Sequence, residues 1–509
     1  MKQIFTIFLL SISLLNFAQY NPALSIGGNA ERNGLSEFLG PLDNPQTYWD
    51  GGEYAAYAQY PIIEGDKLVV GRRTQANSQI ANIVCYNVYT GAELWNIQLP
   101  VSATSDTYGN VSAIHNGVVY ATKARGVTKP ANLIALDINN GNVLWESAST
   151  ITQDFNETVN FNSNGDIIAI KNQHSYICID KNDGSTLWII EKELASGGYC
   201  STMAVNGDIG YCYNRAPGYA TIITAFDLTT GDSLRSSGTL MTGDSYTQQN
   251  MALTLSPAGN IYVHTSEGKL FSLTDNGSSI SIDWFTPVSI FIIGGNFGVG
   301  PDLSIYSVTQ SGKLCRINHL NGEIIDSSAT TIFTNEYYTS GSPAVNQHPE
   351  IAIGADSVVY LSTEQYPNYR LAFYTPDLNL IWEETADDSS PSTSLWGLRG
   401  LALGDSVLVV NAKNNVIRAY KGRELTTTSI SQTSTEETNL NIYPNPTSNK
   451  IFIDNVSENL VVNISDITGR QILSNKTIIS GKMEIDLSDF PSGIYFININ
   501  NKSYKIIKN

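Results

Sequence analysis

The stretch "ALDINNGNVLW" (135–145) recurs with small changes along the chain. Similar stretches are "CYNVYTGAELW" (85–95), "CIDKNDGSTLW" (178–188) and "AFDLTTGDSLR" (225–235). Each has an apolar run, a polar turn with a glycine, and a second run that in most copies reaches a tryptophan. Apolar runs around a glycine turn are typical of two β-strands joined tightly. The sequence therefore predicts a repeated strand–turn–strand unit.

The repeat has a spacing in the forties. The turn glycines lie 50, 43, 47, 46 and 45 residues apart and are Gly91, Gly141, Gly184, Gly231, Gly277 and Gly322. A degenerate copy (371–382) has Leu378 in the glycine position, and a half-copy ends at Gly422. Upstream hairpins such as "VSAIHNGVVYAT" (111–122) complete four short strands per unit, which is typical of propeller blades. We predict an all-β, eight-bladed β-propeller between residues 61 and 423, with seven blades as the alternative.

Each residue type in the repeat has a predicted role. The Asp before the turn caps turn amides, the glycine supplies a positive φ, and the tryptophan is buried between neighbouring blades. The eighth unit lacks its last strand, so its open edge needs a partner. We predict that "ALSIGGN" (23–29) closes the ring there. The predicted docking residues are Gly91, Trp95, Gly141, Trp145, Gly184, Trp188, Gly231 and Trp382, with Trp284 as a further candidate.

Composition excludes some partners. The chain has 509 residues, a net charge of −18 and a pI of about 4.7, so it repels nucleic acid. Its five cysteines are an odd number, and no CxxC motif indicates zinc or covalent haem. Cys85 and Cys178 are predicted to be small core residues. A hairpin turn at Asn206-Gly207 would place Cys200 and Cys212 on opposite faces, which argues against a disulfide between them.

The N-terminus has the pattern of a secretory signal peptide. Lys2 precedes the apolar run Ile4–Leu15, and Ala18 offers a cleavage site, so residues 1–18 are the predicted signal. The run is too short to span a membrane comfortably, and no later segment is long and apolar enough. We predict a secreted protein without a transmembrane segment in the mature chain.

The pattern A-x-D-x-x-x-G-x-x-x-W, met by Ala135, Asp137, Gly141 and Trp145, resembles the tryptophan-docking motif of quinoprotein-type β-propellers. "SIGGNAERNGLSEFLGP" (25–41) also resembles the lead-in of that family. The resemblance implies this fold for residues 19–423. Dehydrogenases of the family bind pyrroloquinoline quinone and calcium and typically carry a vicinal Cys-Cys, which is absent here. We therefore predict no catalytic, cofactor-binding or metal-binding residue, because a fold does not by itself carry a chemistry.

Other motifs are interpreted as structural. "GGNFGVG" (294–300) is predicted to be an interblade turn, and "DKNDGS" (180–185) a blade turn rather than a calcium loop. "EETADD" (383–388) is predicted to be a solvated loop, with a cation site as the alternative. The five histidines fall in unrelated positions and are predicted to be structural or solvated.

The long connections carry the predicted binding residues. We expect these connections to share one face of the propeller, where binding usually resides. They are 71–82, 121–131, 213–221, 235–250, 326–342 and 383–397. Cations beside aromatic side chains suit an acidic sugar or a peptide. The candidate ligand-binding residues are Arg72, Arg73, Lys123, Arg125, Lys129, Tyr337, Tyr338, Trp396 and Arg399. The alternative is a solvated loop face without a ligand.

After residue 423 the composition changes. Residues 424–438 are a Ser/Thr-rich linker, and 439–509 alternate as seven short strands of a small Ig-like β-sandwich. This segment resembles the C-terminal sorting domain of the type IX secretion system. The matching motif residues are Tyr443, Pro444, Asn445, Pro446, Gly469 and Gly493. The resemblance implies export by the type IX machinery to the extracellular space or outer-membrane surface, with removal of the domain near the linker. A C-terminal adhesive module is the alternative.

Together these features predict a secreted or cell-surface, non-catalytic propeller that binds a glycan or protein through its loop-rich face. The alternatives are an extracellular enzyme, either a quinone-dependent dehydrogenase or a polysaccharide-degrading propeller, and a scaffold for assembly of surface proteins.

Overall fold

The computed structural model divides the chain into two compact units, residues 1–425 and 426–509. The described residues are 22–24, 27–51, 61–71, 82–99, 109–122, 130–152, 159–172, 174–191, 202–216, 220–242, 253–265, 269–286, 297–309, 311–332, 350–363, 368–387, 400–412, 416–424, 441–445, 447, 449–456, 460–466, 471–478, 481–488, 490–491, 493–499 and 502–508. Within these ranges the regular elements are all β-strands.

The described strands of the first unit form eight antiparallel sheets. Two strands of the N-terminal segment are β1 (Ala23–Leu24) and β2 (Thr47–Gly51). Sheet 1 contains β3 (Ile62–Glu64), β4 (Lys67–Gly71), β5 (Ile83–Asn87) and β6 (Glu93–Ile97). Sheet 2 contains β7 (Asn110–His115), β8 (Val118–Thr122), β9 (Ala131–Asp137) and β10 (Val143–Ile151), with β1 on its inner edge. Sheet 3 contains β11 (Asn160–Phe161), β12 (Ile167–Asn172), β13 (Ser175–Ile179) and β14 (Thr186–Glu191).

The next sheets repeat this order. Sheet 4 contains β15 (Ala204–Asn206), β16 (Ile209–Ala216), β17 (Ala220–Asp227), β18 (Ser233–Ser236) and the short β19 (Met241–Thr242). Sheet 5 contains β20 (Thr254–Leu255), β21 (Ile261–His264), β22 (Leu270–Asp275) and β23 (Ile280–Phe285). Sheet 6 contains β24 (Gly298–Val299), β25 (Ile305–Val308), β26 (Leu314–Ile317) and β27 (Ile324–Ser327).

The last two sheets of the unit bring the chain back to its start. Sheet 7 contains β28 (Glu350–Ile353), β29 (Val359–Thr363), β30 (Asn368–Tyr374) and β31 (Leu380–Asp387). Sheet 8 contains β32 (Leu401–Gly404), β33 (Val407–Ala412), β34 (Val416–Lys421) and the N-terminal β2.

Ring closure is made by a different segment from the one that the sequence suggested. The prediction that residues 23–29 supply the missing strand is wrong, because β1 pairs with β7 in sheet 2. The open edge of sheet 8 is instead paired by β2, with Trp49 opposite Ala419. The unpaired N–H and C=O groups of an edge strand can pair with any strand of matching geometry. The open edge alone therefore does not identify which segment pairs with it.

Each outermost strand carries a β-bulge just before the tryptophan position. Trp95 pairs with Cys85 while Glu93 pairs with Tyr86, so that Leu94 is the extra residue. The same offset occurs in the other seven sheets. A bulge bends the strand and increases its local twist. The outer edge of every sheet is therefore interrupted at the same place.

The turns of the repeat have the expected chemistry. Asp137 accepts a hydrogen bond from the Asn139 N–H at 2.8 Å, and Asp180 and Asp227 do the same for the amides two residues later. Gly141 has φ of 71°, and Leu378, in the glycine position of sheet 7, also has a positive φ of 59°. One register prediction was shifted: Asn206 pairs with Ile209, so the turn residues there are Gly207 and Asp208.

The apolar core of the first unit lies between the sheets. Cys85 and Cys178, predicted to be core residues, are buried, and together with Cys212 and Cys315 they are free thiols. Cys200 lies outside the described residues. Buried tyrosines on the second strands, such as Tyr262 and Tyr306, add large rings to the interfaces.

The second unit contains two sheets. One contains β35 (Asn441–Tyr443), β36 (Lys450–Val456) and β39 (Gly481–Asp486); the other contains β37 (Leu460–Asp466), β38 (Gln471–Ile478), β40 (Gly493–Ile499) and β41 (Lys502–Lys508). Ile451 and Ile485 of the first sheet share one apolar cluster with Ile464 and Ile497 of the second. The two sheets therefore face each other across a common core.

Candidate functional site

Five contacts between neighbouring sheets use the same indole geometry. Each tryptophan ring covers a turn glycine of the next sheet, and the indole N–H donates to a backbone carbonyl in the same turn. The bonds are Trp49 to Val88 (2.7 Å), Trp95 to Ile138 (2.7 Å), Trp145 to Lys181 (2.8 Å), Trp188 to Leu228 (3.1 Å) and Trp284 to His319 (2.9 Å). The covered glycines are Gly91, Gly141, Gly184, Gly231 and Gly322.

These glycines have no room for a larger residue. A Cβ on Gly141 would lie 2.6 Å from Cε3 of Trp95, and a Cβ on Gly91 would lie 2.6 Å from Cδ2 of Trp49. Sequence reasoning did not find Trp49, because its strand precedes the first complete repeat. The signal that could have found it is the aromatic pair Tyr48-Trp49, which occupies the same bulge-and-dock positions as Leu94-Trp95.

Ion pairs replace the indole at other contacts. Arg235 takes the tryptophan position of sheet 4 and binds Asp275 of sheet 5 through Nε and Nη2, both at 2.5 Å. The hydroxyl of Tyr211 donates to the same carboxylate at 2.8 Å. Between sheets 6 and 7, Arg316 contacts Asp302, Asp326 and Asp377.

Sheet 7 meets sheet 8 in a third way. Trp382 packs against Phe373 of its own sheet and Tyr420 of sheet 8, with ring centroids 4.9 and 5.9 Å apart. Arg418 of sheet 8 binds Glu384 and Asp50, each at 2.7 Å. Trp382 thus contacts an aromatic ring where the sequence suggested a glycine.

A cyclic order follows from these contacts. Sheet 1 docks on 2, 2 on 3 and so on to sheet 8, whose Trp49 docks on Gly91 of sheet 1. The innermost strand of each sheet faces the centre of this ring. The functional question is therefore what lies at the centre and what lies at the two ends.

The N-terminal strap, defined as residues 27–46, leads to β2, and its residues 30–34 lie against the inner wall. Its carbonyls accept one backbone N–H from each of four inner strands: Ala30 from Val205, Glu31 from Leu255, Asn33 from Val299 and Gly34 from Ile353, at 2.8–3.0 Å. The donors belong to sheets 4, 5, 6 and 7. A short segment can reach four successive sheets only near the centre of the ring.

Buried polar side chains hold the strap in place. The amide of Asn33 donates to the Leu255 carbonyl at 3.1 Å, and Nη1 of Arg32 donates to Thr202 at 2.9 Å. From sheet 3, Asn160 donates to the Ala30 carbonyl at 2.8 Å. Buried polar groups of this kind fix a unique arrangement when they are satisfied. The strap is part of the folded ring.

The two ends of the ring differ. The turn face, defined as the end with the first-to-second and third-to-fourth strand turns, is crossed by the strap, since Phe38 accepts from Ala355 and Leu39 accepts from Arg423. The opposite end, the crossover face, has the second-to-third connections and the segments that lead to the next sheet. In sheets 1–7 the fourth strand ends at the crossover face, and the first strand of the next sheet begins there.

The predicted ligand-binding residues lie outside the described residues. They are Arg72, Arg73, Lys123, Arg125, Lys129, Tyr337, Tyr338, Trp396 and Arg399. The described strands bracket several of them: β4 ends at Gly71 and β8 at Thr122, both at the crossover face. Two predicted long connections are wrong in part. Residues 213–216 and 220–221 form the ends of β16 and β17, and 383–387 belong to β31, while 217–219 and 388–397 lie outside the described residues.

The acidic motif "EETADD" is therefore mostly strand, and the solvated-loop prediction is wrong for residues 383–387. Glu383 lies 3.5 Å from Arg370, and Glu384 binds Arg418. Of "GGNFGVG", Gly298 and Val299 form β24 of sheet 6, so the predicted interblade turn is wrong for these residues, while 294–296 lie outside the described residues. Two carboxylates elsewhere have raised pKa values: Glu31 through burial, and Glu64 through burial only partly offset by the Gly117 N–H.

The described histidines do not converge. His264 is buried, packs edge-on against Phe297 at 4.1 Å, and has its pKa lowered by burial to about 3. His115 packs against Phe161 at 4.6 Å, and its pKa is also lowered by burial. His174 and His319 are outside the core, and His348 lies outside the described residues. These side chains form no catalytic pair with each other.

The described residues do not fit a quinone and calcium site of the dehydrogenase kind. In the described ranges no three His, Cys, Asp or Glu side chains group to hold a metal ion. The inner strands of sheets 4–7 are bonded to the strap. We therefore assign no role to such a cofactor.

Comparison with known families follows this geometry. Residues 46–166 and 129–284 match the family described as outer membrane protein assembly factor BamB, a PQQ-type repeat. Residues 441–509 match the secretion system C-terminal sorting domain. The chain is a PQQ-type β-propeller protein with a type IX sorting domain. No curated protein sequence matches it.

Solved structures are similar at low sequence identity. A europium-containing methanol dehydrogenase has a TM-score of 0.51 at 12% identity, covering 77% of this chain and 90% of that one. BamB from Moraxella catarrhalis has a TM-score of 0.47 at 15% identity, covering 70% and 94%. PorZ from Porphyromonas gingivalis, described as an essential surface component of the type IX secretion system, has a TM-score of 0.38 at 12% identity, covering 88% and 69%.

The sorting domain indicates where the protein is exported. This PQQ-type propeller is exported to the cell surface or the extracellular space. Of the motif residues, Tyr443, Pro444 and Asn445 are exposed, and the Tyr443 ring lies 6.0 Å from that of Phe452. Gly493 begins β40, while Pro446 and Gly469 lie outside the described residues. Among the described residues, no helix is long and apolar enough to cross a membrane. The predicted signal peptide also lies outside them.

Proposed function

We propose that the protein is a secreted, non-catalytic propeller of eight blades that binds a glycan or protein ligand through its crossover face. The observation that carries the proposal is the difference between the two faces. At the turn face every sheet has short turns, whereas the crossover face has the long segments between sheets. Loops on a rigid scaffold are the usual place for recognition.

Charge supports the same face. The chain is strongly acidic, yet Arg72, Arg73, Lys123, Arg125 and Lys129 fall in the sequence between the second and third strands of sheets 1 and 2. Clustered cations in an acidic protein attract an acidic sugar or an acidic peptide. Tyr337, Tyr338, Trp396 and Arg399 fall in the sequence after the last strands of sheets 6 and 7. Aromatic rings offer flat apolar surfaces to sugars and peptide side chains.

The absence of catalysis is supported by the centre of the ring. The strap is bonded to the inner strands, and the buried amides of Asn29, Asn33 and Asn160 are engaged in its hydrogen bonds. Polar groups consumed in holding the chain together are not available for substrate chemistry. A quinone-dependent dehydrogenase or a polysaccharide-degrading propeller would need a different set of polar side chains to act on its substrate.

The C-terminal unit belongs to export. We propose that its two facing sheets are an Ig-like sandwich that the type IX machinery recognises and that is removed near the linker. The mature propeller is then released or attached at the surface. The match of residues 441–509 to the sorting-domain family supports this route.

The test of ligand recognition is a glycan array and a peptide array probed with the propeller. Arg72→Ala with Arg125→Ala should abolish binding to the preferred acidic ligand. The matched control is Lys67→Ala with Lys421→Ala, which removes two cations at the turn face and should leave binding unchanged. Equal binding by both double variants would refute the crossover-face site.

A scaffold for surface-protein assembly is the second candidate function. It is favoured by the match of residues 46–284 to the assembly-factor family. Deletion of the gene would then reduce the surface level of other exported proteins, while a ligand-binding protein would leave those levels unchanged. Calcium-dependent uptake of pyrroloquinoline quinone, seen as a visible absorption band, would instead favour an enzyme.

A further inference from the structure

Asn-Gly pairs recur in the turns of the propeller and in the strap. An asparagine before a glycine can lose its side-chain amide without an enzyme, because the glycine has no Cβ to hinder attack by its backbone nitrogen. The rate then depends on how the structure holds that nitrogen and the asparagine side chain. The seven asparagines of these pairs are Asn33, Asn116, Asn140, Asn164, Asn206, Asn276 and Asn321.

In six of the seven pairs the glycine N–H is hydrogen-bonded. A hydrogen-bonded amide keeps its proton and its position, so it is a poor nucleophile toward the neighbouring side chain. The bonds, at 2.8–3.1 Å, run from Gly34 to the Gly27 carbonyl, Gly117 to the Glu64 carboxylate, Gly141 to the Asp137 carbonyl, Gly165 to the Asn162 carbonyl, Gly277 to the Asp275 carboxylate and Gly322 to the Asn318 carbonyl.

Several of the asparagine side chains in these pairs are held as well. The side-chain oxygens of Asn140, Asn276 and Asn321 each accept a backbone N–H, at 2.8, 3.0 and 3.1 Å. Asn33 is buried in the strap. Attack on such a side chain would have to break the bond of the glycine and the bond of the asparagine together.

The pair Asn206-Gly207 differs from the other six. Asn206 ends β15, pairs with Ile209 across the turn, and is exposed together with Gly207. Among the residues that the structure describes, neither the Gly207 N–H nor the Asn206 side chain has a hydrogen-bond partner. A Cβ added to Gly207 would meet no atom within 4 Å, so the turn is also open to water.

We propose that Asn206 is a deamidation site of the folded protein. The Gly207 nitrogen loses its proton and bonds to Cγ of Asn206, the Cγ–Nδ2 bond breaks, and the amide nitrogen leaves as ammonia with that proton. Water then opens the cyclic imide at one of its two carbonyls and gives aspartate or isoaspartate. This site is at the turn face, and it does not depend on ligand binding at the crossover face.

The product changes the contact between sheets 3 and 4. Asp208, the other turn residue, accepts the Ser163 N–H and hydroxyl at 3.0 and 2.8 Å. Deamidation adds a carboxylate beside Asp208, and isoaspartate lengthens the backbone by a methylene group next to Val205, whose N–H is bonded to the Ala30 carbonyl of the strap. The converted protein, separated by ion exchange, should therefore unfold at a lower urea concentration than the fresh protein.

The experiment incubates the full chain at mildly alkaline pH and follows all seven pairs in one sample by peptide mapping and mass spectrometry. Asn206 should convert at least about fivefold faster than each of the other six, since those must first lose a hydrogen bond. In urea the seven rates should converge, because the pairs share the same two residues and the unfolded chain has no turn to protect them. The proposal is overturned if Asn206 is no faster in the folded chain, or if it keeps the same lead in urea.

Variants test the cause. Asn206→Gln should stop the early appearance of acidic species on ion exchange, because glutamine must close a larger ring, while the matched Asn140→Gln should leave it unchanged. Glu64→Ala removes the carboxylate that accepts the Gly117 N–H, so Asn116 should then convert about fivefold faster. Circular dichroism and the unfolding midpoint show whether each variant folds. An unchanged rate at Asn116 would contradict control of deamidation by these hydrogen bonds.

Discussion

The indole of Trp49 covers Gly91 and donates a 2.7 Å hydrogen bond to the Val88 carbonyl. These residues belong to the two ends of the ring, because β2 completes sheet 8 and Gly91 lies in a turn of sheet 1. One contact thus joins strand pairing and sheet docking at the closure. Loss of either should weaken the whole ring.

The closure makes Gly91 sensitive to substitution in a way that depends on Trp49. Gly91→Ala should lower the free energy of unfolding by more than Gly28→Ala does. Both glycines have a positive φ, but only Gly91 has an indole within 4 Å of the added Cβ. Backbone strain alone costs about 1 kcal/mol. In a Trp49→Ala background, which itself should cost about 2–4 kcal/mol, the two alanine substitutions should become equal. Urea unfolding of the wild type and the five variants measures this, and equal costs with Trp49 present would contradict the docking.

The ion pair between Arg235 and Asp275 should be strongly coupled. Both side chains are largely buried, with 12% and 4% exposed, so removing one partner leaves a buried charge. Asp275→Asn should destabilise by about 3–5 kcal/mol, and Arg235→Met with Asp275→Leu should recover most of that loss. The exposed pair Lys450–Glu484 is the control and should contribute no more than about 1 kcal/mol. Additive costs at Arg235 and Asp275 would argue against the pair.

Acid should weaken the same contact. Burial alone would raise the pKa of Asp275, but hydrogen bonds from Arg235, Gly277 and Tyr211 lower it below 3.8. A group whose pKa is lower in the folded state than in the unfolded state stabilises the protein at pH values above its unfolded-state pKa. That stabilisation is lost as the pH falls through the folded-state pKa. Wild-type stability should therefore drop below about pH 4, and Asp275→Asn should flatten that part of the curve. Unchanged slopes in the variant would show that other carboxylates control acid unfolding.

His264 should change the free energy of unfolding at a higher pH than Asp275 does. Its pKa is lowered from 6.5 to about 3 by burial, so the folded chain keeps it neutral while the unfolded chain binds a proton. Stability is intact above pH 6.5 and should fall by about 1.4 kcal/mol per pH unit between pH 6.5 and 3. His264→Phe should remove this slope, whereas the control His174→Gln should keep it. Denaturant titrations across this range measure both.

The strap should be as stable as the sheets. Asn33 is buried and bonds to the Leu255 carbonyl, the Leu35 N–H and Asn29, so Asn33→Ala should cost about 2–4 kcal/mol. Asn139→Ala, in an exposed turn, should cost less than about 1 kcal/mol. Hydrogen exchange at Ser36, whose N–H is bonded to Ile353, should be as slow as in the inner strands. Rapid exchange there would show that the strap leaves the ring.

The local repeat was predictable because its signals lie close together in the chain. Asp137, Gly141 and Trp145 specify a capped turn and an outer strand through neighbouring residues, and the structure shows that turn. The sorting domain was recognisable for the same reason, from short motifs around Tyr443 and Gly493. The candidate ligand residues were chosen from sequence as well, and they remain a prediction because they lie outside the described residues.

The contacts between distant segments were not predictable. Residues 23–29 and 47–51 both precede the first repeat. The pair Tyr48-Trp49 resembles the bulge and tryptophan of an outer strand, but it does not indicate which sheet that strand completes. The replacement of an indole by Arg235 also has no meaning until Asp275 and Tyr211 are brought beside it.

By itself, the sequence determined the repeating unit, its turns and the export address of this protein, because propensity, turn chemistry and short motifs act over a few residues. Only the tertiary structure decided that Trp49 closes the ring, that strap residues 30–34 lie against the inner wall, and that ion pairs take over where tryptophan is missing. Those choices depend on packing and hydrogen bonding between residues hundreds of positions apart, where many strands could pair and only the docked geometry satisfies all of them at once.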